Sequence, residues 1–293
     1  MKIVLSETLS YCFGVRKTLE TTDRLLAGRP GRTYYMLGEI VHNEHVIESL
    51  RARGLRVVQS LADVPAGGVV ILQSHGSSRR RYRELEERGL EYVDATCPMV
   101  GIIHDRVREV EAQGRTPVVI GQFGHDEVRG IVGQVARALV VKTPEEVTPE
   151  LFAGVVRAGV VAQSTFVEAE ARAIVARIRE LVPDVVYHDT ICRPTKVRQR
   201  EVETHTRTAD VVIVIGSRHS ANTRHLYDIA RAINPRTWLI DRPESVEDIA
   251  VPDGATVFVA SGASTPMELI DEVVARLQAR SRDDAAGRKE GPP

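Results

Sequence analysis

Three cysteines, Cys12, Cys97 and Cys192, are the residues of this chain whose type and spacing point most directly to chemistry. Each follows a strand-like segment, in "MKIVLSETLSYC", "LEYVDATC" and "DVVYHDTIC", and their separations are each close to one small α/β domain. Pro98 directly follows Cys97, and Pro194 comes just after Cys192, which predicts that a helix begins there. A helix N-terminus stabilises a thiolate, so these positions favour thiolate chemistry.

Three thiolates are too few for a closed four-cysteine zinc site, although a histidine could complete one. They suit an iron–sulfur cluster in which protein holds three irons and the fourth stays open to substrate. The sequence lacks the closely spaced cysteine run of electron-transfer ferredoxins, which favours a catalytic cluster over a relay. The alternative is that scattered cysteines are merely small buried hydrophobic residues, and their shared position at strand ends disfavours it.

Polar residues at the ends of other strand-like runs form a second set of candidates. His42 in "VHN", His75 in "SHG" and His125 in "GHDE" stand beside residues able to begin a helix. A single histidine in such a place is more often a structural hydrogen bonder, but three at similar positions suggest an anion site. Three further residues supply hydroxyl and amide groups suited to a diphosphate: Ser220, Asn222 and Ser264. No Walker loop or G-x-G-x-x-G motif appears, so a nucleotide is not favoured.

Glu127 lies two residues after His125 and is the candidate acid. Most glutamates at such a position cap a helix or face water. Beside a bound diphosphate, like charge and desolvation would favour the protonated form, which makes it a usable proton donor. Ser164 and Thr165 could position a substrate hydroxyl, although serine and threonine also commonly cap helices.

The elements that must position these residues alternate along the chain. Short Val/Ile-rich runs such as "GVVILQSHGSS" and "ADVVIVIGSRHSAN" predict strands buried on both faces of a parallel sheet. Between them lie amphipathic helices, and in the segment after Cys97 one helical face carries Val100, Ile103, Val107 and Val110. The pattern predicts α/β architecture, with the same order of elements repeated in three similar units.

The predicted domains are residues 13–96, 97–190 and 191–280, the third completed by the N-terminal segment 1–12. The segment 281–293, "SRDDAAGRKEGPP", is charged and poor in apolar residues, so it is predicted to be a flexible tail.

Composition limits the class of protein. The chain has 293 residues, 43% of them hydrophobic, with a formal charge of -1, so neither nucleic acid nor an acidic membrane is expected as the main partner. No apolar run reaches the roughly 20 residues of a bilayer span, and the first residues do not resemble a signal peptide. The odd number of cysteines argues against a disulfide framework and fits a reducing compartment, so a cytoplasmic protein is expected.

The chain resembles the 4-hydroxy-3-methylbut-2-enyl diphosphate reductases, the last enzymes of the methylerythritol phosphate route to isoprenoids. The resemblance covers nearly the whole chain and is carried by "VHN", "SHG", "DATCP", "GHDEVRGIVGQ", "ICRPTKVRQ", "GSRHSAN" and "SGASTP", which stand in the family's order and approximate spacing. It implies three α/β domains with mainly parallel sheets, in pseudo-threefold arrangement around a central cluster.

The resemblance also implies roles for individual residues. Cys12, Cys97 and Cys192 would hold a 4Fe-4S cluster with one open iron, a Lewis acid for the allylic oxygen, and Glu127 would deliver a proton. The diphosphate would be bound by six residues, His42, His75, His125, Ser220, Asn222 and Ser264, with Ser164 and Thr165 near the substrate hydroxyl. The implied reaction is a two-electron reductive dehydroxylation that gives isopentenyl and dimethylallyl diphosphate. Its electron donor would be a small redox protein such as ferredoxin or flavodoxin.

The sequence departs from the family pattern at three places. Ser164 replaces the first of two threonines, Ala221 replaces a second serine after Ser220, and "YCFGVRK" carries larger or basic residues beside the first cysteine. A paralogue that acts on a different substrate is therefore an alternative, as is a noncatalytic iron–sulfur sensor. Glu127 and the three histidines argue against a sensor, which needs no proton donor. A zinc hydrolase is a weaker third possibility.

Overall fold

The computed structural model describes residues 1–28, 32–38 and 43–287. Within these ranges the strands are β1 (Lys2–Leu5), β2 (Tyr34–Leu37), β3 (Leu55–Val58), β4 (Val69–Leu72), β5 (Glu91–Asp94), β6 (Thr116–Ile120), β7 (Leu139–Val141), β8 (Arg157–Ala162), β9 (Asp184–His188), β10 (Val211–Ile215), β11 (Thr237–Ile240) and β12 (Thr256–Ser261). The α-helices there are α1 (Phe13–Gly28), α2 (Glu44–Ala52), α3 (Arg79–Glu87), α4 (Pro98–Ala112), α5 (Asp126–Val132), α6 (Glu168–Leu181), α7 (Arg193–Thr206), α8 (Ala221–Ile233) and α9 (Met267–Gly287).

The strands form three four-stranded sheets with one shared topology. Their orders are β3-β2-β4-β5, β7-β6-β8-β9 and β11-β10-β12-β1, and every pairing is parallel. In each sheet the chain enters at the second position, moves to the outer edge, returns to the third position and ends at the opposite edge. The third sheet takes its last strand from the N-terminus, because β1 pairs with β12. These sheets confirm the predicted α/β fold with three similar parts.

Burial on both faces explains the continuous apolar strands. All five residues of β10 are buried, and they alternate between two clusters of apolar side chains on opposite faces of the sheet. The sheet of β6 to β9 likewise packs one face against Ile174 and Ile178 of α6 and the other against Ile103 and Val107 of α4. The predicted apolar face of α4 is confirmed, since Val100, Ile103, Val107 and Val110 are all buried. Because all strand pairings are parallel, the loops that follow the strands emerge at one edge of each sheet.

The described chain divides into two compact units. The first comprises Met1–Cys12, Asn43, Glu44 and residues 193–287, and it contains the sheet of β1, β10, β11 and β12. The second comprises residues 13–28, 32–38 and 45–192, and it contains the other two sheets. The three predicted domain ranges stay a prediction.

Helix α9 continues to Gly287, so the first part of the segment predicted as a flexible tail is helical. Two adjacent alanines, Ala285 and Ala286, favour helix continuation over the charged composition of this stretch. Residues 288–293 lie outside the described ranges. No helix in the described part of the chain combines the length and apolar character needed to span a membrane.

Candidate active site

Each of the three cysteines occupies the same place in its sheet. Each lies after the fourth strand (β1, β5 or β9) and directly before a helix (α1, α4 or α7). Their backbone N–H groups donate to carbonyl oxygens at three matching positions: Cys12 to Ala263 at 3.1 Å, Cys97 to Ser74 at 3.0 Å and Cys192 to Ser164 at 3.0 Å. Every acceptor stands two residues after the third strand of the sheet concerned. The repeat predicted from the sequence therefore extends to individual backbone hydrogen bonds.

The chemistry of this donor set fits an iron–sulfur cluster. All three cysteines are half-buried thiols, and Cys97 is the N-cap of α4, with Pro98 in the first turn as predicted. Cys12 belongs to the first unit, whereas Cys97 and Cys192 belong to the second. Within residues 1–28, 32–38 and 43–287, no three His, Cys, Asp or Glu side chains are grouped as ligands of one metal ion. The cluster and its three cysteine ligands therefore stay a prediction.

Glu127 is placed by the N-terminus of α5 and is 2% exposed. His125 caps this helix, and its Nδ1 accepts the backbone N–H of Glu127 at 3.2 Å. The carboxyl group faces the loop after β8, where Ser164 donates twice to it: its N–H to Oε1 at 2.6 Å and its hydroxyl to Oε2 at 2.8 Å. A surface or capping role for the Glu127 side chain does not match this burial.

Burial raises the pKa of Glu127 to about 7, against the two Ser164 hydrogen bonds, which lower it. Desolvation outweighs the two Ser164 hydrogen bonds, and within the described part of the chain no cation contributes to stabilising the charged form. A carboxyl group with a pKa near neutrality can hold a proton and release it, which is the property a general acid needs.

Ser164 links Glu127 to the segment that carries Cys192. Its N–H and hydroxyl donate to the Glu127 carboxyl group, while its carbonyl oxygen accepts the Cys192 N–H. Gln163 holds the same loop, since its Nε2 donates to the Thr165 hydroxyl at 3.1 Å and its Oε1 accepts the Gln122 N–H at 3.1 Å. Gln163 is fully buried and was not predicted as a site residue. Gln163 directly precedes Ser164 and Thr165 in the sequence, and this adjacency was the available signal.

Ser164 and Thr165 occupy different positions of the structural repeat. Counted from the end of the third strand, Thr165 matches His75 and Ser264, whereas Ser164 matches Ser74 and Ala263. Ser164 contacts Glu127, and Thr165 occupies the position that His75 and Ser264 occupy in the other two repeats.

His75 and His125 lie close together in the second unit. Their rings are perpendicular, with centroids 5.6 Å apart, and Nδ1 of His75 lies 3.1 Å from Oε1 of Gln73. Gln134, which the sequence reasoning missed, joins the loops involved: its Nε2 donates to the Ser77 carbonyl oxygen at 2.7 Å and to that of Gly130 at 3.1 Å. The loop of His75 is thereby held against the helix of Glu127. His42 lies outside the described residues.

The first unit holds the remaining predicted anion ligands at the N-terminus of α8 and in the loop after β12. Asn222 is 4% exposed and Ser264 is 8% exposed. Neither the Asn222 Nδ2 nor the Ser264 hydroxyl has a hydrogen-bond partner among the described residues. Ser220 caps α8, its Oγ accepting the Thr223 N–H at 3.4 Å. Buried polar groups without partners are rare and costly, so two such groups mark a place suited to an acceptor-rich ligand.

Close packing brings these two segments together. Gly216, directly after β10, has a φ of +144°, and a Cβ there would lie 2.6 Å from the Thr265 hydroxyl oxygen. A Cβ on Gly262 would lie 2.0 Å from the Thr223 hydroxyl oxygen. Asn43 also contacts the loop after β12, since its Nδ2 donates to the Ser264 carbonyl oxygen at 3.0 Å. These positions need glycine because the backbone of one segment touches side chains of the other.

Arg198 of α7 orders the segment that leads to Cys12. It is 4% exposed, and its guanidinium donates to the carbonyl oxygens of Ser10 at 2.7 Å, Ser261 at 3.0 Å and Thr8. Ser10 has a φ of +63°, and its N–H donates to the Ser261 hydroxyl at 2.9 Å. The motif "ICRPTKVRQ" contains Arg198, but nothing in the sequence showed which backbone it would hold.

Three parallel sheets of one topology, each leading to a cysteine before a helix, define a repeated α/β protein. The model of the family described as "LytB protein" matches residues 3–278, and the chain belongs to this family. This membership confirms the predicted family and the expectation of an oxidoreductase.

Named relatives and solved structures agree. The chain is 37% identical over 280 residues to 4-hydroxy-3-methylbut-2-enyl diphosphate reductase of Aromatoleum aromaticum, covering 94% of this chain and 89% of the relative. It is 34% identical to the enzyme of that name from Zymomonas mobilis, covering 95% and 83%. A solved structure of (E)-4-hydroxy-3-methyl-but-2-enyl diphosphate reductase, the terminal enzyme of the non-mevalonate pathway, is similar with a TM-score of 0.70 at 32% identity, covering 95% of this chain and 99% of that one. The Plasmodium falciparum reductase structure has a TM-score of 0.87 at 24% identity, which shows the shared fold.

Proposed function

We propose that this chain is an iron–sulfur reductase that removes the hydroxyl group of 4-hydroxy-3-methylbut-2-enyl diphosphate and yields isopentenyl and dimethylallyl diphosphate. One observation carries the proposal: Ser164 contacts the Glu127 carboxyl group and also accepts the Cys192 N–H. A buried acid with a pKa of about 7 is thereby fixed to the segment that carries a predicted cluster ligand.

Cys12, Cys97 and Cys192 would hold a 4Fe-4S cluster with one open iron. When bound, such a cluster supplies electrons and a Lewis-acid site. The electrons would come from a redox protein such as ferredoxin or flavodoxin, and catalysis would take place in the cytoplasm.

Glu127 acts as the proton donor. In its protonated state it gives the Oε proton to the departing hydroxyl oxygen, which leaves as water, and Ser164 stabilises the carboxylate that remains. The charge on that carboxylate is offset by hydrogen bonds already in place, so little reorganisation accompanies the transfer.

The buried donors bind and orient the diphosphate. Asn222 Nδ2 and the Ser264 hydroxyl each gain an acceptor when a phosphate oxygen arrives, which is the partner they lack among the described residues. His75, His125, Ser220 and His42 are assigned to the same anion, and Thr165 to the substrate hydroxyl. Binding of the diphosphate places the reacting end of the substrate, so the orientation of the C–O bond depends on these donors.

The experiment that tests the proposal is anaerobic turnover of 4-hydroxy-3-methylbut-2-enyl diphosphate by the iron-reconstituted protein, with reduced methyl viologen as reductant. Glu127→Gln should lower kcat by about 100-fold or more, because the amide keeps the shape of the side chain and cannot donate an acidic proton. Glu170→Gln is the matched control, since Glu170 also lies in the first turn of a helix but is exposed.

A fully loaded cluster without turnover would overturn the proposed substrate. It would favour a paralogue with a different substrate, for which Ala221 and Ser164 are the altered positions. Equal rates in wild type and Glu127→Gln would remove the role of Glu127.

A further inference from the structure

A groove of about 1280 Å³ in the second unit has no place in the function described above. It is lined by α3, α4, α5 and the carboxyl ends of β2 and β4. Six arginines line it, four from α3 and one each from α4 and α5: Arg79, Arg80, Arg81, Arg83, Arg108 and Arg129. Two acids, Glu111 and Asp126, face them. We call this feature the arginine groove.

Only part of this positive charge is neutralised by nearby acids. Arg108 pairs with Asp105, and Arg129 lies 3.6 Å from Asp126. Glu111 is engaged elsewhere, since its Oε1 accepts the Ala136 N–H at 2.7 Å.

The four arginines of α3 form no ion pair within 4 Å in the described part of the chain. Arg79, Arg80 and Arg83 are exposed, whereas Arg81 is half-buried. Burial, together with Arg80, holds the pKa of Arg81 below its ordinary value, against the opposite influence of Glu84 and Asp126. Glu84 and Asp126 therefore compensate this charge only in part, and an acidic ligand would offset the remaining cost of its burial.

The floor of the groove is joined directly to a predicted cluster ligand. Gln73 and Gly76, which line the groove, belong to the loop after β4. Between them, the Ser74 carbonyl oxygen accepts the Cys97 N–H at 3.0 Å. A single loop therefore separates whatever occupies the arginine groove from Cys97.

We propose that the arginine groove is the docking surface for an acidic electron-carrier protein. This inference rests on the proposed function, because reductive dehydroxylation consumes electrons that the substrate cannot supply. The substrate R–OH takes up two electrons and two protons, its C–O bond breaks, R–H and water form, and the carrier is oxidised by two electrons in total.

The dimensions and charge favour a protein over a small ligand. The volume exceeds the roughly 300–1,000 Å³ of usual small-molecule pockets, and three of its arginines reach solvent on one helix. The formal charge of the whole chain is only -1, so the excess of arginines over acids in the lining is local to this groove. A local patch of this kind steers and orients an acidic partner.

The test compares Arg80→Glu and Arg83→Glu with wild type, and Arg88→Glu is the matched control. Arg88 is the C-cap of the same helix, is exposed and does not line the groove. Turnover is measured with an acidic reduced flavodoxin and, separately, with reduced methyl viologen. Binding of oxidised flavodoxin is measured by calorimetry at low and high salt, which needs no turnover.

Each groove variant should raise the apparent KM and the Kd for flavodoxin by about fivefold or more at low salt, with a smaller effect at high salt. Turnover of the groove variants with methyl viologen should stay within about twofold of wild type. Arg88→Glu should change neither the KM nor the Kd for flavodoxin. The milder Arg80→Gln and Arg83→Gln substitutions give the same readout if charge reversal impairs folding.

Three results would overturn the docking proposal. The first is unchanged flavodoxin binding in both groove variants, and the second is an equal weakening of flavodoxin binding by Arg88→Glu. The third is a raised KM for the diphosphate substrate in the groove variants with methyl viologen as reductant, because that result would make the groove a substrate entrance. Absence of turnover with methyl viologen in wild type would instead count against the proposed function, and the binding measurement would still decide the docking surface.

Discussion

The buried polar groups of the two units differ in whether the protein itself supplies their hydrogen-bond partners. In the second unit, the Glu127 carboxyl group is fully buried but satisfied, because Ser164 donates to both of its oxygens. In the first unit, Asn222 Nδ2 and the Ser264 hydroxyl are buried without a partner among the described residues. The Glu127 arrangement is complete without a ligand and is suited to holding a proton. The Asn222 and Ser264 arrangement needs an acceptor from a ligand, so it is suited to binding an anion.

The two units therefore differ in the conditions under which their buried polar groups lower the free energy of unfolding. A satisfied buried acid costs stability only when it ionises, so its cost depends on pH. An unpartnered buried donor costs stability at every pH until a ligand arrives. The same substitution strategy should therefore give different results in the two units.

The largest effect is expected from Asn222→Ala combined with Ser264→Ala. Binding of inorganic diphosphate, measured by calorimetry, should weaken by about 100-fold or more, because a hydrogen bond to a charged group contributes roughly 1.5–3 kcal/mol. The free energy of unfolding without ligand should fall by less than about 1 kcal/mol, or rise, since no hydrogen bond is lost.

Ser220→Ala is the informative comparison for that double variant. Its hydroxyl oxygen caps α8, so the substitution should lower the free energy of unfolding by about 1 kcal/mol even without ligand. If the double variant were destabilised as much as Ser220→Ala and still bound diphosphate normally, the proposal that Asn222 and Ser264 bind the anion would be wrong.

A pH-dependent effect on stability is expected next, at Glu127. Its pKa of about 7 in the folded protein exceeds its ordinary value of 4.5, so the folded state binds the proton more tightly. The favourable contribution of the protonated Glu127 to the free energy of unfolding is fully present below pH 4.5. It is lost as the pH rises to 7 and above, by about 3 kcal/mol in total. Urea unfolding across this range should show the loss in wild type and not in Glu127→Gln. A parallel pH dependence in both proteins would contradict the raised pKa.

The smallest effect is expected from Ser164→Ala, which removes the hydroxyl donor to Oε2 and keeps the backbone donor to Oε1. Because these hydrogen bonds lower the pKa of Glu127, its pKa should rise in the variant. If Glu127 is the proton donor, wild-type kcat falls as the pH rises through about 7, and the variant's decline should move to higher pH. Thr165→Val should leave the midpoint of the decline in place, since the pKa of Glu127 is set by burial and by the Ser164 hydrogen bonds. A midpoint that stays fixed in Ser164→Ala would break the link between this contact and proton transfer.

Much of this architecture could be read from the sequence, because strands and helices respond to local patterns. Runs such as "VVIVI" and the spacing of Val100, Ile103, Val107 and Val110 predicted the buried sheet and the α4 face that the structure contains. All three cysteines were placed after strand-like segments for the same reason, and Pro98 and Pro194 predicted the helices that follow Cys97 and Cys192. The quoted motifs also identified Asn222, Ser264 and Glu127 as candidates before their surroundings were known.

Only the tertiary structure decided what those candidates touch. The pairing of β1 with β12 joins residues from the two ends of the chain, and the Glu127–Ser164 contact joins α5 to the loop after β8. Burial at the meeting of these elements raises the pKa of Glu127, and close packing at Gly216 and Gly262 brings the Asn222 and Ser264 segments together. Sequence determines residue types and local periodicity, whereas desolvation and hydrogen-bond partnership depend on chain segments far apart in sequence, which meet only in the folded protein.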